Sequence, residues 1–174
     1  MCSSCVALML SFPSRAAKSL YGIAISGKRS TVMQISPDGH QQNYQTIIQF
    51  HQDQKRFLAV HETQLSIYEA CTLHCVKQWM MRNFCTQICH ATFSCNNQFV
   101  YAVMRDGIVL ILDVSHLCPR FEIDPSTYIP SDIRSNGVPL VIVAHPGKPN
   151  QFALGWLSLK SLKMNGWWMT TKPK

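Results

Sequence analysis

The sequence predicts an all-β fold built from short antiparallel strands, and three observations lead to this prediction. Two segments can be overlaid without a gap at an offset of 43 residues. Each segment alternates apolar runs with polar turns, which is typical of strands joined by hairpins. Within each segment the second apolar run is nearly continuous, which predicts a strand that is buried on both faces.

The repeated segment has the same order of parts in each copy. An alternating apolar strand leads into a polar turn, at residues 51–54, 94–97 and 145–148. A continuous apolar strand follows, at residues 57–60, 99–103 and 152–154. In the first two copies a second turn and a third strand come next, with the strands at residues 65–68 and 108–112. One short strand precedes each copy, at residues 32–35, 76–79 and 120–123.

The overlay brings identical residues together. Phe50 aligns with Phe93, and Ala59 aligns with Ala102. A further offset of 51 residues extends the overlay to a third copy and places Ala153 under Ala102. A repeat with a fixed internal order predicts one supersecondary unit used several times.

Four short antiparallel strands at a period of about 40 to 45 residues are typical of one blade of a WD40-type β-propeller. Blades pack face to face, which fits the apolar run at residues 99–103, and Asp106-Gly107 predicts a two-residue hairpin turn after it. We therefore predict a partial WD40-type propeller with about two complete four-stranded blades and an incomplete third. An ordinary β-sandwich is the alternative that strand spacing leaves open.

The charge is unevenly distributed. The chain carries 16 Lys and Arg against 9 Asp and Glu, for a net charge of +7, which raises nucleic acid or an anionic membrane as a partner. Half of the basic residues lie in residues 1–30 and 160–174, where there is no acidic residue, so residues 31–159 are close to neutral. We therefore predict no direct nucleic-acid or membrane partner.

Three features of the sequence bear on the cellular compartment. The apolar run at residues 6–10 has no basic residue before it and is soon interrupted, so it is a poor signal peptide. No stretch approaches the roughly 18 apolar residues of a membrane span. The eight cysteines have no disulfide-scaffold spacing. We expect a soluble, non-secreted protein with reduced thiols.

Cysteine and histidine spacing raises a zinc-site hypothesis, because structural zinc takes four thiolate or imidazole ligands at close spacing. Against it, Cys89 and His90 would lie on opposite faces of a predicted strand. Free cysteines are the preferred interpretation, and we predict no metal and no cofactor. A further pair, Cys2 and Cys5, lies near the N-terminus. The main candidate ligands are two cysteine pairs and their neighbouring histidines, Cys71, Cys75, Cys85, Cys89, His74 and His90.

Two cysteine–histidine pairs also raise the hypothesis of nucleophilic catalysis by a thiol with a histidine base. The pairs are Cys89 with His90 and Cys95 with His51. Neither pair has an orienting carboxylate or an oxyanion-hole turn nearby, so we predict no catalytic residue and no enzyme. His51 and His145 occupy the same position of the repeat, at the end of the first strand. This repetition favours a turn-capping or packing role.

The C-terminal tryptophans Trp156, Trp167 and Trp168 stand among lysines, which superficially matches a surface for single-stranded nucleic acid. We interpret this composition as that of an unrelated tail. A small Cys/His metal-binding or nucleic-acid-binding module stays open as the alternative function.

Several stretches of the chain are distinctive, and they are residues 47–70, Lys77-Gln78-Trp79, Phe93-Ser94-Cys95, Asp106-Gly107 and residues 126–130, 144–146 and 149–153. Together they resemble the final WD40 repeats of the plant Topless and Topless-related corepressors, over about residues 28–155. The general WD40 signature is degenerate here. The Trp-Asp corner survives only as Leu112-Asp113 and, with a one-residue slip, as Tyr68-Glu69.

The resemblance implies a nuclear, non-enzymatic scaffold of transcriptional repression. Its partners would be transcription factors or adaptors and other components of a corepressor complex, with histone deacetylases downstream. In the family an N-terminal helical region binds leucine-rich repression peptides and drives tetramer formation, and nothing in this chain resembles that region. The leucines at Leu157, Leu159 and Leu162 are spaced almost as in such a peptide. The spacing differs by one residue, and we attribute the similarity to chance.

Domain boundaries are predicted where the resemblance stops. We expect an unrelated, disordered segment at residues 1–27, the partial propeller at residues 28–155 and a basic Trp/Lys tail at residues 156–174. Both ends are expected to derive from truncated or misjoined gene segments. Because so few blades cannot close a ring, we expect exposed blade faces and a poorly soluble or partner-dependent product. Candidate contact surfaces are residues 51–54, 96–98 and 125–138.

Overall fold

The computed structural model describes residues 8–12, 20–25, 28–34, 47–61, 63–81, 86–124, 129–131, 137–158 and 164–170. The chain divides into two compact units, Met1–Gln45 and Thr46–Lys174. In the first unit, β1 (Leu8–Phe12), β2 (Leu20–Ile25) and β3 (Lys28–Gln34) form one antiparallel sheet in that order. Two of these strands lie within residues 1–27, where disorder was expected. The boundary after residue 27 stays a prediction.

The second unit contains three antiparallel sheets, which we call blades 1, 2 and 3. In each blade the strands pair in chain order. Blade 1 consists of β4 (Ile47–Phe50), β5 (Arg56–His61), β6 (Gln64–Glu69) and β7 (Cys75–Met80). Blade 2 consists of β8 (Ile88–Phe93), β9 (Phe99–Met104), β10 (Val109–Asp113) and β11 (Cys118–Ile123). Blade 3 consists of β12 (Gly137–Ala144), β13 (Gln151–Ser158) and β14 (Met164–Thr170).

This architecture confirms the predicted all-β partial propeller, with two four-stranded blades and an incomplete third. The short strand that precedes each copy in the sequence pairs with the sheet before it, since β7 is hydrogen-bonded to β6 and β11 to β10. The blade is therefore offset by one strand from the sequence repeat. Residues 32–34 of the strand predicted at residues 32–35 fall in β3 of the first unit, and residue 35 lies outside the described residues.

Blades 1 and 2 repeat each other closely. Phe50 pairs with Phe57 in blade 1, and their counterparts Phe93 and Val100 pair in blade 2. The backbone conformations of the turns repeat as well, because two pairs of equivalent turn residues have positive φ. These are Gln54 and Asn97, at 56° and 57°, and Leu73 and Leu117, at 56° and 51°.

Two details of the sequence overlay are wrong. The turn after β9 spans three residues rather than two, because the Met104 N–H donates to the Ile108 carbonyl and Gly107 adopts a φ of 95°. Glycine at that position is typical of a three-residue hairpin. This extra residue explains the one-residue slip between the third strands of blades 1 and 2.

The third copy slips by one residue as well. The Ser94 N–H bonds the carbonyl of Phe99, whereas the His145 N–H bonds the carbonyl of Gln151, so the turn in blade 3 is one residue longer. Ala153 therefore does not match Ala102. Since side chains alternate between the faces of a strand, each side chain of β13 lies on the face opposite to the one that the gapless overlay assigned to it. Phe152, Leu154 and Trp156 face blade 2.

Packed blade faces form the core of the second unit. Val100, Ala102 and Met104 of β9 pack toward blade 1, while Tyr101 and Val103 pack toward blade 3. All five side chains are at most 1% exposed. The prediction that the second strand is buried on both faces is thus confirmed for β9. Among the described residues, no helix is long and apolar enough to cross a membrane.

Blade 3 continues beyond the predicted boundary after residue 155. β13 extends to Ser158, and β14 pairs with it from Met164 to Thr170. A third strand is therefore present in a segment that the sequence pattern assigned to an unrelated tail. The assignment of residues 156–174 to a basic Trp/Lys tail outside the family stays a prediction.

Candidate functional site

The first turn of each blade is held by the side chain of the residue that follows its first strand. The Nδ1 atom of His145 accepts hydrogen bonds from the N–H groups of Gly147 and Lys148, at 3.0 and 3.1 Å. Ser94 Oγ accepts the N–H of Phe99 at 3.0 Å, and His51 holds its turn through Asp53, whose Oδ1 lies 2.8 Å from His51 Nδ1. These contacts confirm the turn-capping role that the repeated histidine predicted.

Two of these turns meet at a polar cleft between blades 1 and 2. The cleft has a volume of about 690 Å³. Asn97 Nδ2 donates to Gln52 Oε1 at 3.5 Å and so joins the two turns. Residues 51–54 and 96–98, predicted separately as contact surfaces, therefore belong to one surface. Its walls include His51, Arg56, Lys77, Asn97, Phe99 and Ser115.

His51 is the most buried polar group of the polar cleft, at 5% exposure. Its Nδ1 lies 2.8 Å from Asp53 Oδ1, and its ring packs edge-on against Phe93 with 4.9 Å between centroids. Its Nε2 atom is buried and has no hydrogen-bond partner among the described residues. The ring thus holds the turn in place and leaves one polar atom unpaired.

Asp53 contacts two residues that line the polar cleft, His51 and Arg56. Its Oδ1 accepts the N–H of Lys55 at 2.8 Å, and its Oδ2 lies 3.1 Å from Arg56 Nη2. Burial acts to raise the pKa of Asp53, but hydrogen bonds from the Lys55 N–H, His51 and Arg56 outweigh it and lower the pKa from 3.8 to about 2. The carboxylate is therefore ionised and fixed at neutral pH.

Lys77 connects the two blades at the same cleft. From β7 its Nζ atom donates to the carbonyl of Val114 at 3.1 Å and to that of Ser115. Both acceptors lie in the turn after β10. The ammonium group is thus engaged in holding blade 1 against blade 2.

The corner positions also cap local turns. Glu69 pairs with Arg56, and Asp113 pairs with Phe99, so the two acids are structural equivalents. Asp113 accepts hydrogen bonds from the hydroxyl and N–H of Ser115, and these bonds lower the pKa of Asp113. Glu69 accepts the Thr72 hydroxyl at 2.6 Å. The one-residue slip inferred between the two corners is confirmed.

The candidate metal ligands do not form a site among the residues that the structure describes. In that part of the chain, no group of three or more His, Cys, Asp or Glu could hold a metal ion. Cys71 is exposed, and Cys75 Sγ lies 3.5 Å from the Lys77 carbonyl oxygen. Cys2, Cys5 and Cys85 lie outside the described residues. His74 is exposed in the turn before β7.

The candidate nucleophiles have environments that favour their neutral forms. Burial raises the pKa of the Cys89 thiol and lowers the pKa of His90, although a hydrogen bond with the Ile142 backbone partly opposes the latter shift. A protonated thiol is a poor nucleophile. For the other pair, Cys95 is a half-buried free thiol, and His51 is engaged by Asp53.

The remaining sequence candidates are mostly buried or outside the described residues. Trp156 is 1% exposed in the core between blades 2 and 3, so it is unavailable for base stacking. The side chains of Trp167 and Trp168, and residues 159 and 162 of the leucine pattern, lie outside the described residues. In the segment 125–138, Ile129 is 2% exposed and packs into the same core.

Sequence comparison finds relatives but no matching family model. The chain is 50% identical to the protein TOPLESS of Arabidopsis thaliana over 111 residues, which are 63% of this chain and 10% of that protein. It is 44% identical to Topless-related protein 1 of the same plant over 131 residues, 74% of this chain and 12% of that protein. It is also 50% identical to Protein TPR3 of Oryza sativa subsp. japonica over 110 residues, 63% of this chain and 10% of that protein. The chain thus spans about a tenth of the length of these relatives.

Comparison of structures gives the same fold from distant sequences. The C-terminal WD40 domain of Sif2 matches with a TM-score of 0.60 and 12% identity, covering 90% of this chain and 42% of that one. The β-propeller domain of Cps50 (Swd1) from Myceliophteria thermophila matches with a TM-score of 0.50 and 12% identity, covering 75% of this chain and 43% of that one. At this identity the likeness establishes the fold alone.

Proposed function

Because this chain is a Topless-related sequence built from WD40-type blades, we propose that it is a protein-binding scaffold of a transcriptional corepressor. The observation that carries the proposal is the 50% identity to the protein TOPLESS over 63% of the chain. Its partners would be transcription factors, adaptors or other components of a corepressor complex. The proposed place of action is the nucleus.

The polar groups of the site support a structural rather than a catalytic role. His51, Asp53 and Asp113 are all used to hold turns, and Lys77 joins two blades. Scaffolds present side chains from turns on a rigid frame, and the polar cleft offers such a surface. We therefore propose that the chain binds proteins and performs no catalysis.

A DNA-tethered reporter assay tests the proposed function. The chain is fused to a heterologous DNA-binding domain and expressed in plant cells, with a fluorescent fusion to follow its location. We expect nuclear accumulation and lower reporter output than with the DNA-binding domain alone. Unchanged output from a fusion that is folded and nuclear would contradict the proposal.

A metal assay distinguishes the alternative class of function. Purified protein is analysed for zinc, and its circular dichroism is recorded before and after a chelator is added. The scaffold proposal predicts neither stoichiometric zinc nor chelator-dependent unfolding. Either result would favour a Cys/His metal-binding module instead.

A further inference from the structure

An apolar groove of about 720 Å³ runs between the outer parts of blades 1 and 2. It is distinct from the polar cleft, because the two share no lining residue. Trp79, Met81, Ile108 and Leu110 are partly buried and pack against the core between the two blades. Met104 at its base is 1% exposed, whereas Met80 at its edge is 50% exposed. The core therefore continues to the surface here.

The composition of this apolar groove suits an adaptable contact. Three of its lining residues are methionines, Met80, Met81 and Met104, and a tryptophan lies beside them. Methionine is flexible and polarisable, so it can fit apolar side chains of different shapes. Tryptophan is enriched among residues that dominate binding energy. A volume of this size is within the usual range for binding pockets.

The charged residues that line the apolar groove have one sign. Its charged lining residues are Asp106 and Glu122, both exposed, and no Lys, Arg or His is among the described residues that line it. Asp106 Oδ1 accepts the N–H of Ile108 at 3.1 Å, which leaves its second oxygen available. The Glu122 carboxylate has no hydrogen bond or ion pair with the described residues. An occupant with positive charge at its ends would complement both acids.

We propose that the apolar groove binds a short linear segment of a partner protein that has bulky apolar side chains flanked by lysine or arginine. The apolar side chains occupy the space between Met80, Met104 and Leu110, and the flanking cations lie near Asp106 and Glu122. The inference rests on the proposed scaffold function, to which it adds a surface and a partner class.

Direct binding to the full chain tests the inference. The probe is a fluorescein-labelled peptide with leucine, methionine and leucine between lysine pairs, and binding is measured by fluorescence anisotropy. Two comparison peptides replace either the lysines by glutamates or the apolar residues by serines. We expect saturable binding of the first peptide and at least about tenfold weaker binding of the other two. Equal binding of the lysine and glutamate peptides would overturn the inference.

Matched variants locate the site. Met80→Ser removes an apolar side chain from the groove, while Val76→Ser changes a residue of the same strand that is similarly exposed, at 47%, and does not line it. We expect Met80→Ser to weaken binding about fivefold and Val76→Ser to leave it unchanged. Glu122→Lys should weaken the lysine peptide about threefold and strengthen the glutamate peptide. Equal affinities for wild type and Met80→Ser would contradict the proposed site.

A measurement on the wild-type protein locates the site independently of the variants, whose folding the substitutions could impair. In protein labelled at the methionine methyl groups, the NMR signals of Met80, Met81 and Met104 should shift on adding the lysine peptide. Met164, which is 62% exposed on blade 3, should not shift. Shifts at Met164 alone would place the peptide elsewhere and overturn the inference.

Two further outcomes separate this inference from its alternatives. A concentration-dependent dimer that Met80→Ser abolishes, measured by light scattering, would identify a second copy as the occupant and overturn the peptide proposal. If the reporter is repressed but the lysine peptide does not bind, the groove inference is overturned and the scaffold function stands. If the peptide binds but the reporter is not repressed, the scaffold function is overturned and the groove remains a peptide-binding site.

Discussion

The side chain of Gln49 hydrogen-bonds the backbone N–H of Phe93 across the boundary between blades 1 and 2. Gln49 Oε1 accepts this N–H at 3.0 Å, and Gln49 Nε2 donates to the Thr92 hydroxyl at 2.9 Å. Both ends of one amide are thus used to join the first strands of two sheets. This bond network gives the packed blades a defined relative position, which apolar contacts alone do not provide.

We predict that Gln49→Leu destabilises the protein by about 1 to 3 kcal/mol, because a buried N–H loses its acceptor. The free energy of unfolding is measured by urea titration followed by tryptophan fluorescence. Gln52→Leu is the control, since Gln52 is exposed and makes only a 3.5 Å contact, and its effect should stay within about 0.5 kcal/mol. Equal stabilities of the two variants would contradict the bridging role.

The gapless overlay predicted more of blades 1 and 2 than of blade 3. It located the turns at which Gln54 and Asn97 both adopt positive φ, because local composition sets such turns. The overlay missed the register of β13. Because apolar residues occupy neighbouring positions there, a shift by one residue still aligns apolar residues with apolar residues, so the pattern does not reveal the extra turn residue. It also missed β14, whose Asn165 and Gly166 weaken the strand pattern and whose pairing comes from β13.

The candidate site was predictable only in parts. The sequence identified the polar turns and the repeated histidine, which are local features. It could not bring residues 51–54 and 96–98 to one cleft, because their proximity depends on how two sheets pack. The same limit applies to Gln49 and Lys77, whose partners lie 44 and 37 residues away in the chain.

A second prediction concerns Gly137, where the backbone passes close to a tryptophan. A Cβ atom at residue 137 would lie 2.5 Å from Trp156 Nε1 and 2.5 Å from the Leu157 carbonyl oxygen. We expect Gly137→Ala to destabilise the protein by about 1 to 3 kcal/mol through overpacking. The measurement is the thermal unfolding midpoint by circular dichroism.

The control for this prediction is Gly147→Ala, because a Cβ atom there has no neighbour within 4 Å. It should change stability by less than about 0.5 kcal/mol. A Gly137→Ala protein that melts at the wild-type temperature would show that Trp156 is not packed over residue 137.

The third prediction concerns acid stability. Opposing the effect of burial, hydrogen bonds from Lys55, His51 and Arg56 lower the folded pKa of Asp53 to about 2, below its ordinary value of 3.8. Its contribution to stability is therefore complete above pH 3.8 and is lost as the pH falls toward 2. Asp53→Asn keeps an oxygen to accept the Lys55 N–H and removes the charge. Urea titrations across this interval should give a shallower pH dependence for Asp53→Asn, and an identical slope would refute the assignment.

The fourth prediction concerns thiol reactivity. Cys71 is exposed, whereas burial raises the pKa of the half-buried Cys89 thiol. Because the thiolate is the reactive form, we expect iodoacetamide to modify Cys71 at least about tenfold faster than Cys89 at pH 8. Peptide mass spectrometry over a time course gives both rates. Comparable rates would mean that β8 is not packed as described.

In the second unit the blades stack face to face, with β9 buried between its two neighbours. Amide hydrogen exchange followed by mass spectrometry measures this arrangement, because protection follows burial and stable pairing. We expect the slowest exchange in β9, Phe99–Met104, and faster exchange in the outer strands β7 and β11. Exchange in β9 as fast as in β7 and β11 would contradict it.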